Sequence, residues 1–294
     1  MSKRVSYGTR FSAKCYAKVN LFLHVTGKRD DGYHNINSLL VPIDLHDTIS
    51  ITADNVTSLR CNIHYIPTNH KNIILKTDKI LREEYGLDRC FRIDLTKRIP
   101  TGAGLGGGSS DAASYLKLVM KASGMELSYE QQEDIMRKVG SDTVFFLKNR
   151  PALATGRGDI LQDFDFLPKF HLLIINPQIF VSTKDVYSHS DLVFTNEKNL
   201  PVITSPLTFS QMAVLMKNDM EVPVFKMYSD IKTIVDKINS HGRGVGMMSG
   251  SGSTVFGVYE NPSARDEDFE IFKSEYPSYF IKKAETVCSD KGEM

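Results

Sequence analysis

The sequence predicts a two-domain protein of mixed helix and strand, and three observations carry that expectation. The chain has 294 residues, more than a single domain usually holds. Segments of strand period and of helix period alternate along its first half. A run holding five glycines stands at residues 100–110, between a strand-like segment and a helix-like one.

Length and composition bound the rest. Hydrophobic residues make up 41% and charged residues 24%, the balance of a soluble globular protein and not of a disordered or fibrous one. Lys and Arg number 36 against 35 Asp and Glu, so a net charge of +1 provides no field to gather nucleic acid or an anionic membrane. Any anionic ligand must therefore be held by local groups. Cys15, Cys61, Cys90 and Cys288 are scattered without a CxxC pair, which argues against a zinc site and for reduced thiols. Residues 1–18 are polar and basic and lack the apolar centre of a secretory signal, and no apolar run approaches membrane-spanning length. The expected location is the cytoplasm.

The elements follow in order. Val19, Leu21, Leu23 and Val25 alternate with Lys18, Asn20, Phe22 and His24, the period of a half-buried strand with Lys18 and Asn20 on one face. A polar turn at 27–34 interrupts it. Strand-like segments resume at 48–52 and at Leu59, Cys61, Ile63 and Tyr65. Residues 72–85 have helical spacing and stop at Gly86, a C-terminal cap. Phe91, Ile93 and Leu95 alternate as a strand ending near Pro100. A helix is expected over 111–123, and Ser128 with Gln131 has the spacing of a capping box for a second helix closing at Gly140. The apolar run 171–176 reads as a buried strand. The domain boundary is expected at 164–169, giving one domain over 1–166 and another over 167–294.

The glycine run points to a phosphate. Glycines admit left-handed backbone angles and close approach, while successive N–H groups and the first turn of a following helix direct positive charge at an anion. A Walker A loop is excluded because Gly108 stands before Ser109, where that motif requires Lys. Gly102, Gly104 and Gly107 satisfy GxGxxG, yet Glu126, the acid at the required distance, has no strand leading to it. Protein-kinase signatures are missing. A phosphoryl transfer also needs a proton acceptor and a cation. From spacing alone Asp142 reads as a turn or N-cap carboxylate, and Lys18 as a solvated residue opening a strand. Ser249-Gly-Ser-Gly-Ser-Thr254 reads as a tight turn or as a second wall of an anion site.

Taken together, Ala17-Lys-Val-Asn-Leu-Phe-Leu23, Asp31-Gly-Tyr-His34, the glycine run, Gly140-Ser-Asp142 and Ser249-Gly-Ser-Gly252 fall in the order of one family. The chain resembles the 4-diphosphocytidyl-2-C-methyl-D-erythritol kinase family, GHMP-type kinases of the non-mevalonate isoprenoid pathway. Ala154-Thr-Gly-Arg-Gly-Asp159 and Val181-Ser-Thr183 also match, and Asp31-Gly-Tyr-His34 separates this family from the wider superfamily. The resemblance implies an α+β fold of an S5-like N-terminal domain and a ferredoxin-like C-terminal domain, with the active site in the cleft between them. It implies that ATP phosphorylates the 2-hydroxyl of the cytidine-diphosphate-linked methylerythritol.

By position, Asp142 would then be the general base and Lys18 the cation that activates the hydroxyl. Pro100, Thr101, Gly102, Ala103, Gly104, Leu105, Gly106, Gly107, Gly108, Ser109 and Ser110 would wrap the ATP phosphates, with Asn72 and Lys97 near the adenosine. Tyr33 would stack on the cytosine and His34 hydrogen-bond it. Asn20, Thr183, Ser249, Gly250, Ser251 and Gly252 would border the substrate. Mg2+ would accompany ATP on phosphate oxygens, with no protein metal ligand. The expected assembly is a monomer or weak homodimer. One departure concerns Gly140-Ser-Asp-Thr-Val-Phe-Phe146, where the family reads Gly-Ala-Asp-Val-Pro-Phe-Phe and so has a turn-stiffening Pro at the position of Val144. The rival readings are a GHMP kinase for mevalonate, homoserine or a sugar, and an inactive nucleotide-binding regulator.

Overall fold

A computed structural model describes residues 8–165 and 167–287, and at Ser141 the backbone alone. Residues 1–7, Phe166 in the expected boundary, and Cys288 lie outside the described residues. The chain forms two compact units, one from residues 8–17, 45–99 and 106–149, the other from 18–44, 100–105 and 150–287. Two long paired strands, β1 (Arg10–Lys28) and β2 (His34–Asp54), contribute to both.

In the first unit the end of β2 pairs antiparallel with β4 (Cys90–Thr96), which pairs in parallel with β3 (Ser58–Cys61). The register sets Ile49 against Leu95 and Ile51 against Ile93, all four buried. Four helices accompany these strands: α1 (Ile73–Tyr85), α2 (Gly107–Ser123), α3 (Tyr129–Val139) and the single turn α4 (Phe145–Lys148). α1 ends at Gly86, whose φ of +69° is left-handed backbone that glycine adopts without strain. α3 opens with the capping box read from Ser128 and Gln131, both reciprocal bonds being present. α1 packs on α2 and α3. Between α1 and α2 the fully buried Tyr115 donates to Asp78 Oδ1 at 2.6 Å, and Arg82 Nε donates to Asp78 Oδ2 at 2.7 Å, so the buried hydroxyl and carboxylate are both satisfied.

In the second unit the start of β2 pairs with β5 (Ala152–Thr155), which pairs with β6 (Ile160–Asp163). β7 (His171–Asn176) then opens a separate sheet. After it come α5 (Thr183–Ser188), α6 (Phe209–Leu215), α7 (Glu221–Met227), α8 (Ser229–Ser240), β8 (Val245–Met248), β9 (Val255–Tyr259), α9 (Pro262–Glu275) and β10 (Phe280–Glu285). The sheet is antiparallel in the order β10-β7-β9-β8, with α8 packed on β8 and β9 and α9 packed on β7, β9 and β10. A strand, a helical crossover, two strands, a helix and a strand in that order make the ferredoxin-like arrangement. Leu172 through Ile175 of β7 have no exposed surface, as a strand covered on both faces requires. Among the described residues no helix is long and apolar enough to cross a membrane.

Three local expectations are corrected. β1 is not half-buried: Lys18, Asn20, Phe22 and His24 are at most 5% exposed, as are the apolar residues between them. Alternation misled here because the polar side chains are also withdrawn from water, Lys18 against Gly104 O and Asn20, and His24 beside Thr195. Lys18 is accordingly not a solvated strand opener. The strand expected through Tyr65 stops at Cys61, and Tyr65 lies in a turn with 64% of its surface exposed.

Candidate active site

Lys18 is held by its own strand and by the glycine run. Its main-chain N–H donates to Leu105 O at 3.0 Å, and its Nζ donates to Gly104 O at 2.7 Å and to Asn20 Oδ1 at 2.6 Å. A strand sets residues i and i+2 on one face, which is why Asn20 reaches the ammonium. Asn20 Nδ2 donates in turn to Ser38 Oγ at 2.8 Å, and Ser38 Oγ donates to Phe22 O at 2.7 Å. This chain of bonds leaves the Asn20 amide one orientation.

The Ser249–Gly252 turn lies against the same segment. Ser249 Oγ donates to Gly104 O at 3.0 Å, and Thr254 N–H donates to Ala103 O at 3.4 Å. Gly104 has φ +76°, and a Cβ there would stand 2.0 Å from Ser249 O. Gly250, with φ +58°, lies beside the lysine: a Cβ there would be in ordinary contact with Lys18 Nζ at 3.5 Å. Ser251 Oγ is 2.7 Å from Thr183 Oγ1 at the start of α5. Gly102, with φ +62°, faces the exposed ring of Phe180.

Asn218, which sequence reasoning missed, supports that turn from behind. Its buried Nδ2 donates to Met248 O and Gly250 O, both at 2.8 Å, and its Oδ1 accepts from Met220 N–H at 3.0 Å. The neighbouring Asp219 fastens the segment to β1, accepting from Val25 N–H at 2.9 Å, Thr195 Oγ1 at 2.6 Å and Lys217 Nζ at 2.9 Å. Burial alone would raise its pKa, but the bonds from His24, Thr195, Lys217 and Val25 outweigh burial and hold it down at about 2. A carboxylate with a depressed folded pKa stabilises the fold above its unfolded pKa, and that contribution is lost as pH falls through the folded one. Acid titration of thermal unfolding should therefore show the stability gap between the parent and Asp219→Asn shrinking from pH 3.8 down to about 2. A gap that does not change with pH would remove Asp219 from this role.

An aromatic group stands at the start of β2. Asp31 Oδ1 accepts from Tyr33 N–H at 3.1 Å and Gly32 has φ +84°, so Asp31-Gly-Tyr-His34 is a turn closed by its own carboxylate. Tyr33 is 55% exposed, with the Arg157 guanidinium 4.9 Å over its ring. The His34 ring stacks on Tyr187 at 4.5 Å and 12°, with Phe194 edge-on at 5.7 Å. Burial, then the charge of Lys28, lowers the His34 pKa, so the ring is neutral near pH 7 with one donor and one acceptor nitrogen. Tyr187 and Phe194 were not found from sequence. The Ser182-x-x-Asp185 spacing that caps α5 is the signal that would have placed Tyr187 on a short helix after Thr183.

The other candidates belong to the first unit. Gly106, with φ +70°, opens α2, Gly107 and Ser110 are buried, and Gly108 is exposed in the first turn with Ser109 half-buried. The N–H groups of that turn have no intrahelical acceptor, which suits an anion. Asn72 caps α1: its Oδ1 accepts from Ile74 N–H at 3.0 Å and its Nδ2 donates to Pro67 O at 2.7 Å. Lys97 is buried between Asp47 and Asp111. Asp142 is exposed on the single 3-10 turn after α3. Thr143 beside it is fully buried and donates to Met136 O at 2.5 Å and Gly140 O at 2.7 Å, which fixes the turn. Val144 has φ −60°, the angle that a proline ring would impose, so the turn keeps the backbone that the family's Pro would give. Among the described residues no group of three His, Cys, Asp or Glu side chains could hold a metal ion.

Two family models match the chain, the GHMP kinases N terminal domain over residues 72–150 and the GHMP kinases C terminal domain over residues 205–278. With the two-domain α+β fold, they define a small-molecule kinase of the GHMP type. A 4-diphosphocytidyl-2-C-methyl-D-erythritol kinase of Thermoanaerobacter pseudethanolicus is 34% identical over 278 residues, covering 93% of this chain and 96% of the relative. Another of that name from Cytophaga hutchinsonii is 41% identical over 249 residues, covering 83% and 90%. A crystal structure of 4-(cytidine 5'-diphospho)-2C-methyl-D-erythritol kinase superposes with a TM-score of 0.77 at 27% identity, covering 95% of this chain and 100% of that one. The chain belongs to the 4-diphosphocytidyl-2-C-methyl-D-erythritol kinase family. The mevalonate kinase of Methanococcus jannaschii shares the fold at a TM-score of 0.72 and 17% identity, over 96% of this chain and 100% of that one.

Proposed function

We propose that the chain transfers the γ-phosphoryl group of ATP to the 2-hydroxyl of 4-diphosphocytidyl-2-C-methyl-D-erythritol, a step of the non-mevalonate isoprenoid pathway. The observation that carries the reading is the aromatic group at the Asp31-Gly-Tyr-His34 turn. Tyr33 offers an exposed face, and His34, stacked on Tyr187, offers a neutral donor–acceptor edge, the pair of features that a cytosine needs. Mevalonate and homoserine have no flat base to use it.

In this reading Asp142 accepts the hydroxyl proton, and Lys18, oriented by Asn20, holds the hydroxyl and the oxygen developing charge. Residues 100–110 cradle the ATP phosphates. A Cβ at Gly104 or Gly107 would fall within 3.0 Å of neighbouring atoms, so the backbone itself forms the cradle's wall. Mg2+ would come with ATP and neutralise charge on the phosphates that residues 100–110 hold. Asn72 lies near the adenosine, and Thr183 with the Ser249–Gly252 turn borders the methylerythritol. We assign the N-terminal GHMP domain to residues 1–166 and the C-terminal one to 167–294. We also place the protein in the cytoplasm, acting as a monomer or weak homodimer, where the free thiols of Cys15, Cys61 and Cys90 would stay reduced.

A coupled ADP-release assay across acceptors tests the proposal. Turnover is expected with the cytidylyl compound and not with mevalonate, homoserine or a sugar, and turnover with mevalonate alone would overturn it. Tyr187→Ala should raise the KM for the cytidylyl compound about tenfold, the size of a lost ring stack, and leave that for ATP in place. An unchanged acceptor KM would take Tyr187 out of the base site.

A further inference from the structure

The ammonium of Lys97 lies inside the first unit, 7% exposed, between two carboxylates that are buried still more completely, Asp47 at 0% and Asp111 at 2%. Nζ donates to Asp47 Oδ2 and, at 2.7 Å, to Asp111 Oδ2. Each carboxylate is tied to a different end of the glycine run. Asp47 Oδ1 accepts the N–H groups of Arg98 at 2.5 Å and Ile99 at 2.8 Å, the last two residues before Pro100. Asp111 stands in α2, one residue beyond Ser110. Lys97 is also fixed at its main chain, where its N–H donates to Asn62 Oδ1 at 2.7 Å and its carbonyl accepts from Asn62 Nδ2 at 3.1 Å. The first residue of α2 presses on this group: a Cβ at Gly107 would stand 3.1 Å from Lys97 Nζ and 3.0 Å from Ile99 Cγ2.

The family resemblance sets Lys97 near the adenosine. Turning Nζ toward a base would leave the desolvated Asp47 and Asp111 side chains facing each other without their cation, a penalty that one hydrogen bond to a base edge does not offset. We infer that Lys97 is a positioning residue which, through Asp47 and Asp111, fixes the entry and exit of the glycine run and so acts on ATP through its phosphates, not its base. The inference rests on the ATP reading of that run.

The group also has a charge that changes near neutral pH. The titratable and charged groups facing Asp111 are Cys15 from β1, Asp47 from β2 and Lys97 after β4. Burial is the main cause that pushes the Asp111 carboxyl up to about 7, and Lys97 only partly offsets it. Below that pH Asp111 therefore carries its proton. Above it the triad gains a negative charge beside the helix start that receives the phosphates.

The test measures binding of Mg-ATP, Mg-GTP and inorganic tripolyphosphate to the full chain by calorimetry. Lys97→Met should weaken ATP and tripolyphosphate by the same factor, about tenfold or more, with the ATP-to-GTP ratio unchanged. A loss for ATP with tripolyphosphate unaffected would show a base contact and overturn the inference. Unchanged affinities with only a lower melting temperature would overturn it as well. Should that variant not fold, Asp111→Asn, which keeps an acceptor for Lys97, decides the matter. Asp111→Asn should weaken ATP and tripolyphosphate by the same factor with the ATP-to-GTP ratio unchanged, and a loss for ATP alone would overturn the inference. A parent chain that binds neither ATP nor tripolyphosphate would defeat the reading of the glycine run itself, an outcome distinct from all of these.

Discussion

Asp142→Asn is expected to lower kcat by about a hundredfold to ten-thousandfold, the usual share of a positioned general base, while the affinity for ATP stays close to that of the parent. Asn has the shape of Asp and can still accept a hydrogen bond, but it cannot take up the proton of the attacking hydroxyl. The turn that carries the residue has supports of its own. It is fixed by Thr143, which is buried and bonded to two carbonyls, and by the helical backbone of Val144. A melting curve of the variant beside that of the parent separates lost proton transfer from lost structure. Single-turnover kinetics with a parallel nucleotide-binding titration make the measurement. Full activity in Asp142→Asn would end the base assignment. Loss of ATP binding together with activity would show that the carboxylate serves the nucleotide instead.

The second large effect concerns stability. Gly104→Ala should cost more than about 3 kcal/mol, the sum of a left-handed alanine and a clash that no rotamer can relieve. The φ of +76° accounts for the first part, and the Cβ position 2.0 Å from Ser249 O and 3.3 Å from Gly252 O for the second. Both obstructing atoms are backbone. Gly108→Ala provides the control within the same run: a Cβ there meets only Ile73 Cδ1 at an ordinary 3.6 Å, and the residue lies in a helix. Alanine there should be neutral or stabilising by up to about 1 kcal/mol. Denaturant unfolding of the two variants side by side measures the contrast. If Gly104→Ala stayed within about 1 kcal/mol of the parent, the close packing of the Ser249–Gly252 turn on the glycine run would be wrong.

Local signals were legible wherever a residue acts through the chain beside it. The capping box of α3, the glycine stop of α1 and the buried strand β7 were each written in a few consecutive residues. The glycine run read as an anion site for the same reason, since its φ angles and its helix are local properties. What escaped depended on partners distant in sequence. Nothing near Asn218 announces that its amide bonds two carbonyls on either side of Ser249. Nothing around Lys97 announces the two aspartates that enclose it. β1 read as half-buried because a period of two reports only that the faces differ, and here the polar face is buried as well. Tyr187 lies some 150 residues beyond His34, and only the fold brings the two rings together.

The carbonyl of Gly104 accepts from Lys18 Nζ and Ser249 Oγ at once. That oxygen belongs to the same peptide group as the Leu105 N–H, and drawing electron density toward the oxygen leaves the amide hydrogen more positive. A cation and a hydroxyl on the far side of one peptide plane thus sharpen the donor on its near side, without touching whatever that donor meets. The Leu105 amide should accordingly resonate further downfield than its neighbours in a nitrogen–proton NMR spectrum and move back upfield in Lys18→Met. The lysine then serves the glycine run as an inductive group acting through the covalent frame, in addition to any charge it presents through space.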